Sequence, residues 1–264
     1  MEAGSVPGQQ ERGQWARMLA NMRGFFASMA QDASDGHVLE LEGVLAAVVP
    51  SCPERSIVNC VIYPDPGALE AARDALADEY EQAGVRAWTV WVPEEDTRAA
   101  ALLGRGGHVL DGRPTAMARE LRGFESPLPV PELLEPDMAT ALRINDLAYG
   151  FAGDLERAFQ RVPPEPARLY LAAVDGAPAC TVLTYDSPDG DCGIYLVATL
   201  AEARGRGLAT ALMGHALTEA SRRGCLTTSL QATARGRPLY ERLGYRNIGA
   251  VHMWERRKRE GGAG

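Results

Sequence analysis

From Trp15 the apolar positions Met18, Leu19, Met22, Phe25, Phe26 and Met29 recur at three- and four-residue steps, the spacing of one helix face. This methionine and phenylalanine stripe reads as core rather than as a cofactor box. The period then changes. HVLELEGVLAAVV reads as strand, turn, strand, and SIVNCVIY as another strand. DPGALEAARDALADEYEQAG opens on an Asp-Pro-Gly turn and closes at Gly84, which predicts a helix. VRAWTVWVP alternates as a strand, EEDTRAAALLGRGGHV reads as a helix ended by glycines, and TAMAREL as a strand that closes the series.

GFESPLPVPELLEPD then replaces periodic structure with prolines and acidic residues, which marks a boundary. Beyond it, MATALRINDLAYGFAGDLERAFQRV predicts one or two helices. RLYLAAVDGAPACTVLTYD predicts a hairpin turning at Asp175-Gly176. CGIYLVAT reads as a strand, RGLATALMGHALTEASRRG as a helix, LTTSLQAT as a strand, GRPLYERLG as a short helix and YRNIGAVHMWER as the last strand. The two halves share this order, so an internal duplication is expected, with domains at 1–125 and 126–264. Residues 1–13 are expected to be disordered, and the tail RKREGGAG to be a solvated end.

Composition narrows the function classes. The chain has 264 residues, enough for a sizeable core without disulfides or metals. Its formal net charge of -8 argues against nucleic acid as a partner and fits ordinary solubility. Cys52, Cys60, Cys180, Cys192 and Cys225 show no CxxC spacing and read as small buried hydrophobes in a reducing compartment. No metal site is expected, since the four histidines (His37, His108, His215 and His252) lie far apart. The polar, acidic N-terminus is unlike a signal peptide, and no run is long enough to span a membrane. A cytoplasmic protein without membrane partners is expected.

The chemistry concentrates in IYLVATLAEARGRGLATAL, where a strand runs into a glycine-rich loop and a helix begins. Backbone N–H groups at a helix start have no internal partners and carry partial positive charge. Gly205 and Gly207 let a ligand approach the backbone, and Arg204 and Arg206 add mobile positive charge. Together they describe a phosphate cradle. A Walker A loop would need Gly-Lys-Ser or Gly-Lys-Thr, which is missing here. A dinucleotide fingerprint would need GxGxxG and an acidic residue on the next strand, but Leu226 to Thr233 carries none.

RGRGLA, Arg204 to Ala209, resembles the [Gln/Arg]-x-x-Gly-x-[Gly/Ala] signature of the GCN5-related N-acetyltransferase (GNAT) family. PLYERLGYR, Pro238 to Arg246, is similar to that family's later Leu-Tyr-x-x-x-Gly-Phe/Tyr segment. The pair in order, one helix and one strand apart, is a far more specific sign than either alone. The resemblance covers Val130 to Trp254. It implies an α/β fold, an α+β mixed sheet splayed at its middle strands, with acetyl-CoA as cosubstrate in the splay, and two tandem copies in the whole chain. Backbone groups of Val197, Ala198 and Thr199 would meet the pantetheine arm or acetyl carbonyl. The amides of Arg204, Gly205, Arg206, Gly207, Leu208 and Ala209 would hold the pyrophosphate. Thr233 stands where many members carry an asparagine that touches the cofactor, a departure that leaves only a hydroxyl for that contact.

By the same resemblance Tyr240 is the acid that protonates the leaving thiolate. A phenol with a pKa of about 10 keeps its proton at neutral pH and can supply it. The acceptor would be a primary amine of a small molecule or peptide, attacked directly, so no enzyme nucleophile is required. The general base is not readable: Asp146, Asp154, Glu156, His215 and His252 each have an ordinary structural reading, and a water chain serves equally. In the first half, PDPGALEAARDAL has Asp65, Pro66 and Gly67 where the cradle would be, and AAALLGRGG has no tyrosine. That half is expected to bind no acetyl-CoA, with Trp88 and Trp91 packed in its core. The alternative function is a non-catalytic acyl-CoA sensor or interaction module. The oligomeric state stays open, a homodimer included.

Overall fold

The computed structural model describes residues 9–151 and 153–258. The first elements are α1 (Gln9–Asp32), β1 (His37–Leu41), β2 (Val44–Val48), β3 (Cys60–Ile62), α2 (Pro66–Gln82), β4 (Ala87–Pro93), α3 (Thr97–Arg105), β5 (Val109–Gly112) and β6 (Thr115–Glu120). Then come β7 (Leu133–Leu134), α4 (Met138–Tyr149), α5 (Leu155–Ala158), β8 (Ala167–Val174), β9 (Ala177–Asp186) and β10 (Asp191–Thr199). A 3-10 turn (Ala201–Ala203), α6 (Leu208–Arg222), β11 (Thr227–Ala232), α7 (Arg237–Arg242) and β12 (Arg246–Arg257) complete the order. The series β1-β2-β3-α2-β4-α3-β5 repeats as β8-β9-β10-α6-β11-α7-β12.

Contacts divide the chain into two units made of interleaved segments. Unit 1 takes residues up to Phe25, Thr115–Gly153 and Arg161–Gly249; unit 2 takes Phe26–Pro114, Asp154–Gln160 and residues from Ala250. The interleaving comes from the closing strands. β6, which follows the first series, pairs antiparallel with β11 in unit 1, from Thr115–Ala232 to Glu120–Thr227. In unit 2, Val251–Arg257 of β12 pairs antiparallel with β4.

The unit 1 sheet runs β6-β11-β10-β9-β8-β7. Only β10 and β11 among these are parallel, which requires the α6 crossover between them. The apolar face of α6 (Leu212, Met213, Ala216 and Leu217, all fully buried) packs on Val182, Ile194 and Leu230. Each such leucine contributes about 1.5–3 kcal/mol of burial. The expected hairpin forms between β8 and β9 and turns at Asp175 and Gly176, both at positive φ. Leu133 and Leu134, in the stretch expected to be linker, pair with Ala172 and Leu171 as β7.

Asn21 of α1 is fully buried and stitches two strands: its Nδ2 donates to the carbonyls of Tyr185 and Asp191, both at 2.9 Å. Its Oδ1 accepts the Tyr195 hydroxyl at 2.8 Å. Gly193 makes this possible, since a Cβ there would stand 2.0 Å from Asn21 Oδ1.

In unit 2 the order is β1-β2-β3-β4-β12, with β5 also on β12. Leu69, Leu76 and Tyr80 of α2 and Leu102 and Leu103 of α3 cover Val61, Trp88, Val90 and Val92. Trp88 stacks on Tyr80, with ring centroids 4.6 Å apart, and Trp91 lies beside Phe26 at 6.1 Å, so both tryptophans are core residues as expected.

Three expectations change in detail. SIVNCVIY is a strand only at Cys60–Ile62, because Asn59 Nδ2 donates to the carbonyls of Cys52 and Arg55 while its Oδ1 accepts from Val49 N–H, folding the chain before it into turns. Val109–Gly112, expected in part to end a helix, is strand β5. Gln9 to Gly13, expected to be disordered, begin α1, while residues 1–8 and the tail from 259 lie outside the described residues. All five cysteines are buried and free. Among the described residues, no helix is long and apolar enough to cross a membrane, and no group of His, Cys, Asp and Glu is placed to hold a metal.

Candidate functional site

The site lies in unit 1, where β10 and β11 part. Their parallel ladder runs from Asp191–Thr227 to Gly193–Ser229 and stops, although β10 continues to Thr199 and β11 to Ala232. On its other edge β10 bulges: the register with β9 shifts between Tyr195 and Ala198, and Leu196 takes φ 49°. A non-glycine residue at positive φ costs about 1–3 kcal/mol, so the surrounding sheet must hold it there. Leu196 and Val197 therefore stand outside the ladder with β9. Ala198 and Thr199 rejoin it opposite Thr181 and Cys180.

Beyond Thr199 the 3-10 turn leads to Arg204 in an extended conformation, then Gly205 at φ 78° and Gly207 at φ 76°. Gly207 is the N-cap of α6 and supplies no side chain; the first helical bond runs from Ala211 N–H to the Gly207 carbonyl at 3.0 Å. The amides of Leu208 and Ala209 precede that bond, at the positive end of a 15-residue helix. A Cβ on Gly205 or Gly207 would meet nothing within 4 Å, so the chain leaves open space beside both glycines. Unit 2 handles the corresponding helix start differently. There Asp65 Oδ1 accepts from Gly67 N–H at 2.8 Å and Ala68 N–H at 3.1 Å, and Pro66 brings no N–H. A carboxylate of the chain already occupies the place of an anion.

Arg204 corrects one expectation. Its guanidinium is not a mobile charge. Nε donates to the Thr199 carbonyl at 3.0 Å and Nη2 to the Ala148 carbonyl at 3.1 Å, which pins the loop to the end of β10 and the last turn of α4. Arg206 is exposed. Thr233, just past β11, uses an oxygen lone pair within the chain: Oγ1 accepts the Gly236 N–H at 3.2 Å before α7, which leaves its O–H proton as the donor for a ligand contact.

Tyr240, on α7, is buried with 9% of its surface exposed, and its ring meets Tyr245 edge to face at 5.9 Å. Burial pushes its phenol pKa well up, and the neighbouring Tyr149 and Cys180 push the same way. The group stays protonated throughout the working pH range. Two hydrogen bonds tie those neighbours to β10: Tyr149 Oη donates to the Val197 carbonyl at 3.3 Å, and Thr199 Oγ1 donates to Cys180 Sγ at 3.2 Å. The bulge and the loop are thus both tied to the end of α4, through Tyr149 and Ala148, and Tyr240 feels the neighbouring Tyr149. Tyr149 is the residue that sequence reasoning missed. A tyrosine in the last turn of a helix before a glycine carries no distinguishing pattern, and only the fold places it on Val197.

The candidate bases separate. Asp146 is buried in α4. Asp154 belongs to unit 2, where it pairs with the buried Arg55 at 3.2 Å. Glu156 is exposed on α5. His215 lies edge-on to Tyr170 at 5.8 Å, and His252 belongs to unit 2, 3.9 Å from Glu94.

A helix start preceded by two glycines at positive φ, a parallel ladder that stops short of the ends of both strands and a buried phenol are compatible with a phosphorylated ligand that has an extended arm. Residues 135–245 match the model of the acetyltransferase (GNAT) family. No curated protein matches the chain. Among solved structures, a GCN5-related N-acetyltransferase from Kribbella flavida is similar with TM-score 0.64 and 19% identity, over 95% of this chain and 96% of that one. One from Sphaerobacter thermophilus gives 0.57 and 18%, over 97% and 95%. A tandem GNAT protein from the clavulanic acid biosynthesis pathway gives 0.56 and 15%, over 96% and 97%. The α/β fold is that of GNAT acyltransferases, and residues 135–245 are the part of the chain similar to the acetyltransferase (GNAT) family model.

Proposed function

We propose that the protein transfers acetyl from acetyl-CoA directly to a primary amine. The observation that carries this reading is the parting of β10 and β11 beside the unobstructed Gly205–Gly207 turn that starts α6. The thioester supplies an activated acetyl group. The amides from Arg204 to Ala209 would bind the pyrophosphate, and Arg204 would hold the loop in shape rather than neutralise the ligand. Backbone groups of Val197, Ala198 and Thr199 would orient the arm and the acetyl carbonyl. Tyr240 would donate its hydroxyl hydrogen bond toward the sulfur as charge develops there, and the proton released by the acceptor nitrogen, carried by water, would restore the phenol, so that one proton passes in net from nitrogen to sulfur. Because its pKa is raised, hydrogen-bond donation leads and transfer follows only once sulfur carries charge. Unit 2 is proposed as a second, degenerate copy, in which Asp65 caps its own helix.

Calorimetric titration with acetyl-CoA tests the cradle. Gly207→Ala adds only backbone strain, whereas Gly207→Glu adds a carboxylate where the pyrophosphate would lie. Binding by the wild type, weakened in the first variant and abolished in the second, supports the assignment. Equal affinity in all three proteins rejects it.

A further inference from the structure

Unit 2 contains a cavity of 230 Å³ that the proposed reaction does not use. Trp88 and His108 line its interior, Leu102 and Leu103 of α3 add apolar wall, and Arg105 and Arg256 stand at its rim. The fold explains the grouping. Trp88 of β4 lies opposite Arg256 of β12 in the antiparallel ladder, so both side chains leave the same face of the sheet. α3 covers that face, and its last turn brings Arg105.

Two features of the cavity are not spent on folding. Neither Arg105 nor Arg256 forms a side-chain hydrogen bond or ion pair among the described residues; Glu70 and Glu81, the acids that feel their charge, are paired with Arg98 and Lys258 instead. Arg73, also at the rim, is answered by Asp74 at 2.9 Å, so the acid of that pair does not neutralise the other two. His108 is buried to 6% exposure, edge-on to Trp88 at 4.5 Å, and among the described residues neither ring nitrogen has a side-chain partner. Burial, then the charge of Arg256, pushes its pKa down to about 4, so the imidazole is neutral at pH 7.

We propose that this cavity binds a small planar organic anion: a single ring bearing a carboxylate. The ring would lie against Trp88 and the leucines, and the carboxylate would meet the guanidiniums of Arg105 and Arg256, whose planar forks match it. The volume suits one ring and excludes a whole nucleotide cosubstrate. The proposal stands independently of acetyl transfer.

Benzoate is the probe, benzamide its neutral isostere, and inorganic phosphate a test of charge without a ring. Binding is followed by NMR of the Trp88 indole and the His108 imidazole. Saturable benzoate binding should perturb both rings, raise the His108 pKa by offsetting Arg256, and exceed benzamide affinity by at least about tenfold. The Arg105→Ala, Arg256→Ala double variant should lose at least about tenfold in benzoate affinity. Phosphate binding as tight as benzoate overturns the ring-binding claim, and equal benzoate and benzamide affinity overturns the anion claim. Absence of saturation in the wild type overturns the site. The wild-type comparison of isosteres does not depend on how the double variant folds.

Discussion

The guanidinium of Arg204 donates to the carbonyl of Ala148 at 3.1 Å, joining the loop before α6 to the last turn of α4. With its second bond, to Thr199, it fixes the entrance of the cradle from two sides. Arg204→Ala removes both bonds while leaving the amides in place. The site is solvent-exposed, so about 1 kcal/mol is at stake, a several-fold rise in KM for acetyl-CoA. Steady-state kinetics should show that rise with little change in melting temperature. An unaltered KM would mean that the loop keeps its shape without Arg204.

Gly193 and Asn21 are matched by shape. Gly193→Ala would drive a methyl into the Asn21 amide and should cost about 1–3 kcal/mol by overpacking. Asn21→Ala alone leaves the Tyr185 and Asp191 carbonyls and the Tyr195 hydroxyl without this partner. Combined, the two changes should destabilise less than their sum, because the second removes the clash. Denaturant unfolding of the four proteins reads the coupling, and strict additivity would contradict the contact.

Tyr240→Phe should lower kcat by about a hundredfold, the usual scale for one acid group, and change acetyl-CoA affinity little. Its pKa is raised by burial, so the wild-type rate should show no loss from Tyr240 ionisation below pH 10. A full rate in the variant removes the phenol from the chemistry.

Asp191 gives the fold a pH dependence. It is buried at the start of β10 and accepts hydroxyl hydrogen bonds from Thr227 and Ser229, and among the described residues no cation forms a salt bridge with it, although the charge of Arg17 acts in the same direction as the hydroxyls. Burial lifts its pKa from 3.8 to about 6, opposed by those two hydroxyls. The folded state therefore holds this proton more tightly than the unfolded chain. The stability this group contributes is present below pH 3.8 and lost as pH rises to about 6. Asp191→Asn should gain on the wild type across that window, by up to about 3 kcal/mol. Unfolding curves at several pH values test this, and a constant difference between the two proteins would contradict it.

Much of the site could be read from the sequence because it is made of local signals. The Gly205–Gly207 loop sits between a strand and a helix, and Leu239-Tyr240 lies on a short helix before a glycine; both depend on neighbours in the chain. Arg204 was misread because its partners are backbone carbonyls of Thr199 and Ala148, which no side-chain pattern announces. Tyr149 was missed for the same reason. The destinations of β6 and β12 were also hidden: alternation identifies a strand, but its partner is chosen by long-range pairing. Asp65 shows the opposite case, since a cap two and three residues from its donors is local in the chain.

Acetyl transfer itself is tested most directly by mass spectrometry of acceptors incubated with the protein and acetyl-CoA carrying a deuterated methyl group. Primary amines of varied size and charge, with peptides among them, form the panel. The predicted result is an amine carrying the intact labelled acetyl group, with one free CoA for each product and both reduced in Tyr240→Phe. Saturable binding of acetyl-CoA that leaves the thioester intact across the whole panel would contradict the transfer and favour an acyl-CoA sensor.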